Sequence, residues 1–251
     1  MKLYGLIGYP LGHSFSKQYF TEKFKQENLN DCVFESFPIP SIEEFDTFLK
    51  NNPSLKGLCV TIPYKEQVLR FVDELSEEVK SIGATNSIRI SGNKLTAYNT
   101  DITGFEQSFS KKLQPAHTHA LVLGTGGASK AVQYVLNKMG IVYRLVTRGA
   151  KSMRHSLHYD QLTEEILKEY TVIINCTPVG MFPNDNIAPD IPYHLLTPEH
   201  YLYDLVYKPA KTLFLQKGEE AGAIIENGYE MLIIQAEESW KIWNSDLPIP
   251  G

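Results

Sequence analysis

The apolar positions of this chain fall into short runs, each closed by glycine, proline or a polar cluster. Residues 3–8 form one such run, ended by Tyr9-Pro10-Leu11-Gly12, and predict a buried strand. From about Ser16 the spacing becomes helical, with Phe20, Phe24 and Leu29 on the apolar side. Residues 33–37 and 55–60 read as strands, the second stopped by Pro63. Between them, Ser41-Ile42-Glu43-Glu44 has the capping-box form and predicts a helix carrying Phe45, Phe48 and Leu49. Residues 87–90 and 94–98 flank Ser91-Gly92-Asn93, a hairpin signal, and a helix is expected from near Thr103.

Gln114-Pro115-Ala116-His117-Thr118-His119 is polar, carries a proline and reads as a domain linker. Beyond it the pattern predicts strands at 120–123, 142–146, 172–175 and 201–206. Helices are expected at 128–139 and at 212–221, the latter with Thr212 as cap and Gly222 just past its end. This β-α-β repetition implies a parallel sheet with helices on both faces. Residues 229–243 predict a last helix, with Leu232, Ala236, Trp240 and Trp243 at helical spacing.

With 251 residues there is room for two modest domains. A membrane span is not expected, because no run of about 18 apolar residues occurs. The first residues lead straight into a strand pattern, without the apolar stretch and cleavage site of a signal peptide. The net charge of −5, with no long basic block, argues against nucleic acid as a partner. Cys32, Cys59 and Cys176 are odd in number and far apart, which fits reduced thiols in the cytosol. No metal site is expected from the seven histidines: His117 and His119 lie in the linker, His155 and His158 in a polar stretch, all read as solvated surface. His13 reads as a residue that shapes its loop.

Gly124-Thr125-Gly126-Gly127-Ala128-Ser129-Lys130 sits between a predicted strand and a predicted helix. Glycines there permit a tight turn and close approach of backbone to a pyrophosphate, and the helix N-terminus offers free N–H groups. A dinucleotide is the first reading, with S-adenosylmethionine or a plain tight turn as alternatives. An NAD site or a methyltransferase usually places an acid at the end of the next strand, whereas here stand Thr147 and Arg148. A hydroxyl and a cation suit a 2′-phosphate, hence NADP. Asn175-Cys176-Thr177-Pro178-Val179-Gly180-Met181 ends a third parallel strand, where ligand crevices form, so Thr177 and Met181 are expected to border the nicotinamide.

In the first half, polar residues gather after strands: His13-Ser14-Phe15-Ser16, Thr61 to Lys65, Gly83-Ala84-Thr85-Asn86 and Asn99-Thr100-Asp101. Ser14 and Ser16 beside a helix start form a neutral clamp for a carboxylate. Together these turns supply a cation, an acid, an amide and hydroxyls, the set needed to hold a polyhydroxylated carboxylate and move a proton.

With Asp204-Leu205-Val206-Tyr207-Lys208-Pro209 and Asn227-Gly228-Tyr229-Glu230-Met231-Leu232 followed by Gln235, these stretches make the chain resemble shikimate dehydrogenase over nearly its whole length. The resemblance implies an α/β fold of two domains. Residues 1–113 form an N-terminal substrate and catalytic domain with a mixed sheet, and residues 229–251, the C-terminal helix included, fold back onto it. Residues 114–228 form a Rossmann-like NADP-binding domain. It implies substrate contacts by Ser14, Ser16, Thr61, Asn86, Asp101, Tyr207 and Gln235, and a catalytic pair of Lys65 and Asp101. Cofactor contacts are expected from Gly124, Gly126, Gly127, Ala128, Thr147, Arg148, Thr177, Met181 and Gly228. The implied reaction is the reversible, NADPH-dependent reduction of 3-dehydroshikimate to shikimate in aromatic amino acid biosynthesis, by a monomer or homodimer. A quinate-using or NAD-using relative, a non-catalytic NADP-binding module and a methyltransferase are the alternatives. Four positions depart from the family pattern: Lys17 stands for a proline, Cys59 for an asparagine, Tyr98 for a small or acidic residue, and Thr147-Arg148 for Asn-Arg-Thr.

Overall fold

The computed structural model describes residues 1–12, 15–149 and 156–245. The chain divides into two compact units, Met1–Thr100 with Gln235–Gly251, and Asp101–Ile234.

The first unit contains β1 (Lys2–Gly8), α1 (Phe15–Gln26), β2 (Cys32–Pro38), α2 (Phe45–Asn51), β3 (Leu55–Val60), β4 (Glu74–Leu75), α3 (Glu77–Ile82), β5 (Ser87–Ser91) and β6 (Lys94–Tyr98). Its mixed sheet has the order β2-β1-β3-β5-β6-β4. β1 runs parallel to β2 and β3, and the hairpin β5-β6 continues antiparallel from β3. Alternation along the strands loads both faces. Ile7, Leu58 and Val60 pack with Phe45 and Phe48 of α2. Tyr4, Leu6 and Cys59 turn the other way, onto Phe20 and Phe24 of α1 and onto Ala236 and Trp243 near the chain's end. Leu29 lies past the end of α1 yet packs on that same face. The Ser41 hydroxyl accepts the N–H of Glu43 and starts a 3-10 turn, with α2 beginning only at Phe45.

The second unit contains α4 (Thr100–Ser110), all but its first residue, then β7 (His119–Leu123), α5 (Gly127–Lys138), β8 (Val142–Thr147), β9 (Ser156–His158), α6 (Glu164–Glu169), β10 (Val172–Asn175), β11 (Tyr201–Asp204), α7 (Leu213–Glu220) and β12 (Ile224–Asn227). The last helix, α8 (Tyr229–Asn244), gives residues 229–234 to this unit and the rest to the first. All strand pairs of its sheet are parallel, in the order β12-β11-β10-β7-β8-β9. This is the strand order of doubly wound dinucleotide-binding sheets, with its switch point between β7 and β10. Phe105 and Phe109 of α4 lie against Tyr201 and Tyr203 of β11, and Ser108 Oγ lies 2.6 Å from the Tyr203 hydroxyl.

The expected α/β architecture, one mixed sheet and one parallel sheet with a returning C-terminal helix, is therefore observed. Three local readings are corrected. The helix expected from Thr103 starts at Thr100, because Asn86 Oδ1 accepts the Thr100 N–H at 2.7 Å and serves as a cap from elsewhere in the chain. The strand expected to reach Val206 stops at Asp204, whose carboxylate accepts the Val206 N–H and turns the chain. His117 is buried rather than solvated: Nδ1 accepts the Gln114 N–H, Nε2 lies 3.1 Å from the Glu199 carbonyl, and the ring stacks on Tyr201.

Candidate active site

In the first unit, the ends of β1 and β3 approach so closely that a Cβ on Gly8 would lie 2.5 Å from the methyl group of Thr61. The Thr61 N–H binds the Ile7 carbonyl, and the chain then turns through Pro63 and Tyr64 to Lys65. The Thr85 N–H donates to the Lys65 carbonyl at 2.8 Å, which joins the lysine turn to the Gly83–Asn86 loop. Gly83 makes that loop possible: it ends α3 at φ +65°, a left-handed conformation. Thr61 and Lys65 are half-buried, as is Ser16 in the first turn of α1. Ser14 lies outside the described residues.

Asn86 stands at the centre of a buried polar network. Its amide donates to Thr100 Oγ1 at 3.0 Å and to Gln235 Oε1 at 3.3 Å. The Thr100 hydroxyl lies 3.0 Å from that of Ser239 on α8, which is fully buried. Two expected substrate residues, Asn86 and Gln235, are thus neighbours. Thr100 and Ser239, which sequence reasoning did not single out, hold them. Thr100 is flanked by the chosen Asp101, but Ser239 carries no local signal beyond its place one turn after Gln235. Cys59, one of the departures from the family pattern, lies in the aromatic core.

In the second unit, Asp101 occupies the first turn of α4 and is buried. Gly124 follows β7 with φ +98°, and a Cβ there would lie 2.8 Å from the methyl group of Thr177. The two loops flanking the switch point therefore meet at this glycine, and the Cys176 N–H binds the Leu123 carbonyl between them. Gly126 is the cap of α5, and a Cβ on it would meet nothing within 4 Å. Gly127 and Ala128 form the first turn, whose N–H groups have no helical acceptor. That open, donor-rich turn fits a dinucleotide pyrophosphate. At the end of β8, Thr147 Oγ1 accepts the Gly149 N–H at 3.1 Å, shaping the turn that carries the exposed Arg148.

Met181 is exposed and Tyr207 half-buried, its phenol pKa pushed up by burial. A Cβ on Gly228 would lie 2.2 Å from the Leu205 carbonyl oxygen, so that position accepts glycine alone. Asn175 and Asp204, at the ends of β10 and β11, are fully buried and bonded to each other at 2.9 Å. In the sequence each is only the first residue of its motif, and its role in holding the loops carries no local signal.

A glycine turn at the switch point of a doubly wound sheet, in one chain with a separate mixed-sheet unit carrying clustered polar turns, defines the class: a two-unit α/β dinucleotide-dependent oxidoreductase. Residues 6–88 match the family profile described as the shikimate dehydrogenase substrate binding domain. A protein of Caldicellulosiruptor saccharolyticus named shikimate dehydrogenase (NADP(+)) is 38% identical, covering 96% of this chain and 91% of that one. The crystal structure of shikimate dehydrogenase from Aquifex aeolicus superposes with a TM-score of 0.86 at 32% identity, over 98% of this chain and 94% of that one. The enzyme from Thermus thermophilus, solved in complex with NADP(H) and shikimate, gives a TM-score of 0.84 at 28% identity, over 99% and 95% of the two chains. The chain belongs to the shikimate dehydrogenase family.

Proposed function

We propose that this protein interconverts 3-dehydroshikimate and shikimate with NADP(H). The observation that carries the reading is the Gly124 turn meeting Thr177 at the switch point of the parallel sheet, in a chain of this family. The division of labour follows: residues 1–113 with 229–251 hold the substrate, and residues 114–228 hold the cofactor. Gly124, Gly126, Gly127 and Ala128 take the pyrophosphate, while Thr147 and Arg148 take the 2′-phosphate. Thr177, Met181 and Gly228 border the nicotinamide end. Bound NADP(H) supplies or receives the hydride at C3 of the substrate.

Ser14 and Ser16 bind the substrate carboxylate, and Thr61, Asn86, Tyr207 and Gln235 bind and orient its hydroxyls. As negative charge grows on the C3 oxygen, the Lys65 ammonium stabilises it and delivers the proton. Asp101 orients that ammonium and the reacting hydroxyl. The protein works as a monomer or homodimer in the cytosol, a setting that suits its three cysteines, none of them in a disulfide. Among the described residues no helix is long and apolar enough to cross a membrane.

The test is a spectrophotometric assay at about 340 nm with shikimate and NADP⁺, repeated with quinate and with NAD⁺. Turnover is expected with shikimate and NADP⁺, with at least tenfold lower kcat/KM for each alternative. Tight NADPH binding without turnover on any substrate would leave a binding module and defeat the reading.

A further inference from the structure

The loop that meets Gly124 is held from behind by a buried acid. Asp204, Asn175 and Thr212 are all fully buried. Asp204 Oδ2 accepts the Thr212 hydroxyl at 2.6 Å, and Oδ1 accepts the Asn175 amide at 2.9 Å and the Val206 N–H at 3.0 Å. Asn175 then turns its own carbonyl oxygen toward the loop. That oxygen accepts both the N–H of Thr177, at 3.0 Å, and its hydroxyl, at 2.6 Å. The methyl group of the same threonine abuts Gly124. One line of hydrogen bonds thus runs from the end of β11, through the end of β10, to Thr177, whose methyl group carries it to the turn after β7.

Among the described residues no cation pairs with Asp204. An uncompensated buried carboxylate is costly, and a neutral acid or an amide would be cheaper to bury. What only the carboxylate can do is accept on both oxygens at once. Protonation or amidation points a hydrogen at Thr212 Oγ1 and takes away the acceptor to which the Thr212 hydroxyl donates. Charge-assisted bonds are also the shorter and stronger ones, so the Asn175 amide is best fixed while Asp204 is ionised.

Resting on the NADP reading above, we propose that Asp204 is a positioning residue for the cofactor: its carboxylate fixes Asn175 and thereby holds the Thr177 loop in register with Gly124. Loss of the charge loosens that loop and weakens NADP(H) binding. Burial pushes the Asp204 pKa up to about 6, so mild acid reaches it. The titratable groups facing it are the Cys176 thiol after β10 and the Tyr193 phenol in the 3-10 turn of residues 193–195, with Lys217 of α7 over that phenol. Burial raises both the thiol and the phenol, so they stay neutral in this range.

The experiment measures NADPH dissociation constants by fluorescence on the full-length wild-type and Asp204→Asn proteins at pH 7.5 and 5.5. The cofactor's own phosphate also titrates near pH 6, so the ratio of the two constants is the quantity read. At pH 7.5 the variant should bind about fivefold or more weakly, and at pH 5.5 the ratio should shrink toward one. Equal affinities at pH 7.5, or the same ratio at both pH values, overturn the proposal while leaving the cofactor reading intact. A wild-type protein that binds no NADPH at either pH overturns both. Should Asp204→Asn fail to fold, Thr212→Val decides: it removes one donor and keeps the acid, so the acid limb of NADPH binding should move to higher pH. An unmoved limb counts against the proposal.

Discussion

Trp243 lies across Gly57 so closely that a methyl group on that glycine would sit 2.3 Å from the indole ring. The tryptophan also stacks on Tyr4, with ring centroids 5.4 Å apart, and meets Phe20 at 5.3 Å. The glycine in the middle of β3 is therefore a seat for the returning helix. Gly57→Ala should cost roughly 3 kcal/mol or more in denaturant unfolding, through overpacking of backbone against a ring that cannot retreat. An effect below about 1 kcal/mol would mean that Trp243 has somewhere else to go.

Ser239 touches Thr100, which in turn holds Asn86 beside Gln235. Ser239→Ala removes one buried hydroxyl and leaves its partner short, at a cost of about 1 kcal/mol in stability. If the network orients the substrate, KM for shikimate should rise several-fold while the NADP⁺ KM stays put. A uniform fall in kcat with both KM values unchanged would point to another role.

Lys65→Ala should lower kcat by about 10²–10⁴-fold with little change in KM, the signature of an interaction made in the transition state. Asp101→Asn should lower kcat in the same direction. Near-normal turnover by the lysine variant in steady-state assays would remove Lys65 from the chemistry.

His117 and His200 give this protein an acid-sensitive side. His200 is buried too, with Nδ1 accepting the Thr197 N–H and Nε2 3.1 Å from the Leu167 carbonyl. Burial holds both imidazoles below the usual histidine value, and a second proton would have to sit against a backbone N–H. The unfolded chain therefore takes up protons first, so stability falls as pH drops below about 6.5. Asp204 acts in the opposite sense. Its folded pKa lies above the unfolded 3.8, so its share of stability is present at low pH and is lost as pH rises toward about 6. Urea midpoints at pH 7.5 and 5.0 should show a shallower acid loss for the double variant His117→Gln/His200→Gln than for wild type. Parallel losses would contradict the assignment.

The sequence by itself determined most of the elements and the character of both sets of turns. Strand alternation and helical spacing are local properties, so β1, β3, β5, β6, β7, β10 and α8 were legible from a few neighbouring residues each. A glycine turn between a strand and a helix likewise declares itself, because Gly124 must take a positive φ that other residues resist. Short strands such as β4, β9 and β12 carry too few residues for a period, and they form because a neighbouring strand offers its edge.

What only the tertiary structure decided is which distant residues meet. Asn86 and Gln235 are 149 positions apart, and Asn175 and Asp204 are joined across adjacent strands. The burial of His117, the placement of Trp243 on Gly57 and the capping of α4 by Asn86 are of the same kind. A side chain's partner is set by sheet order and by the crossing of whole elements. Those follow from burying the summed apolar surface of the chain, and no single stretch of residues encodes that sum.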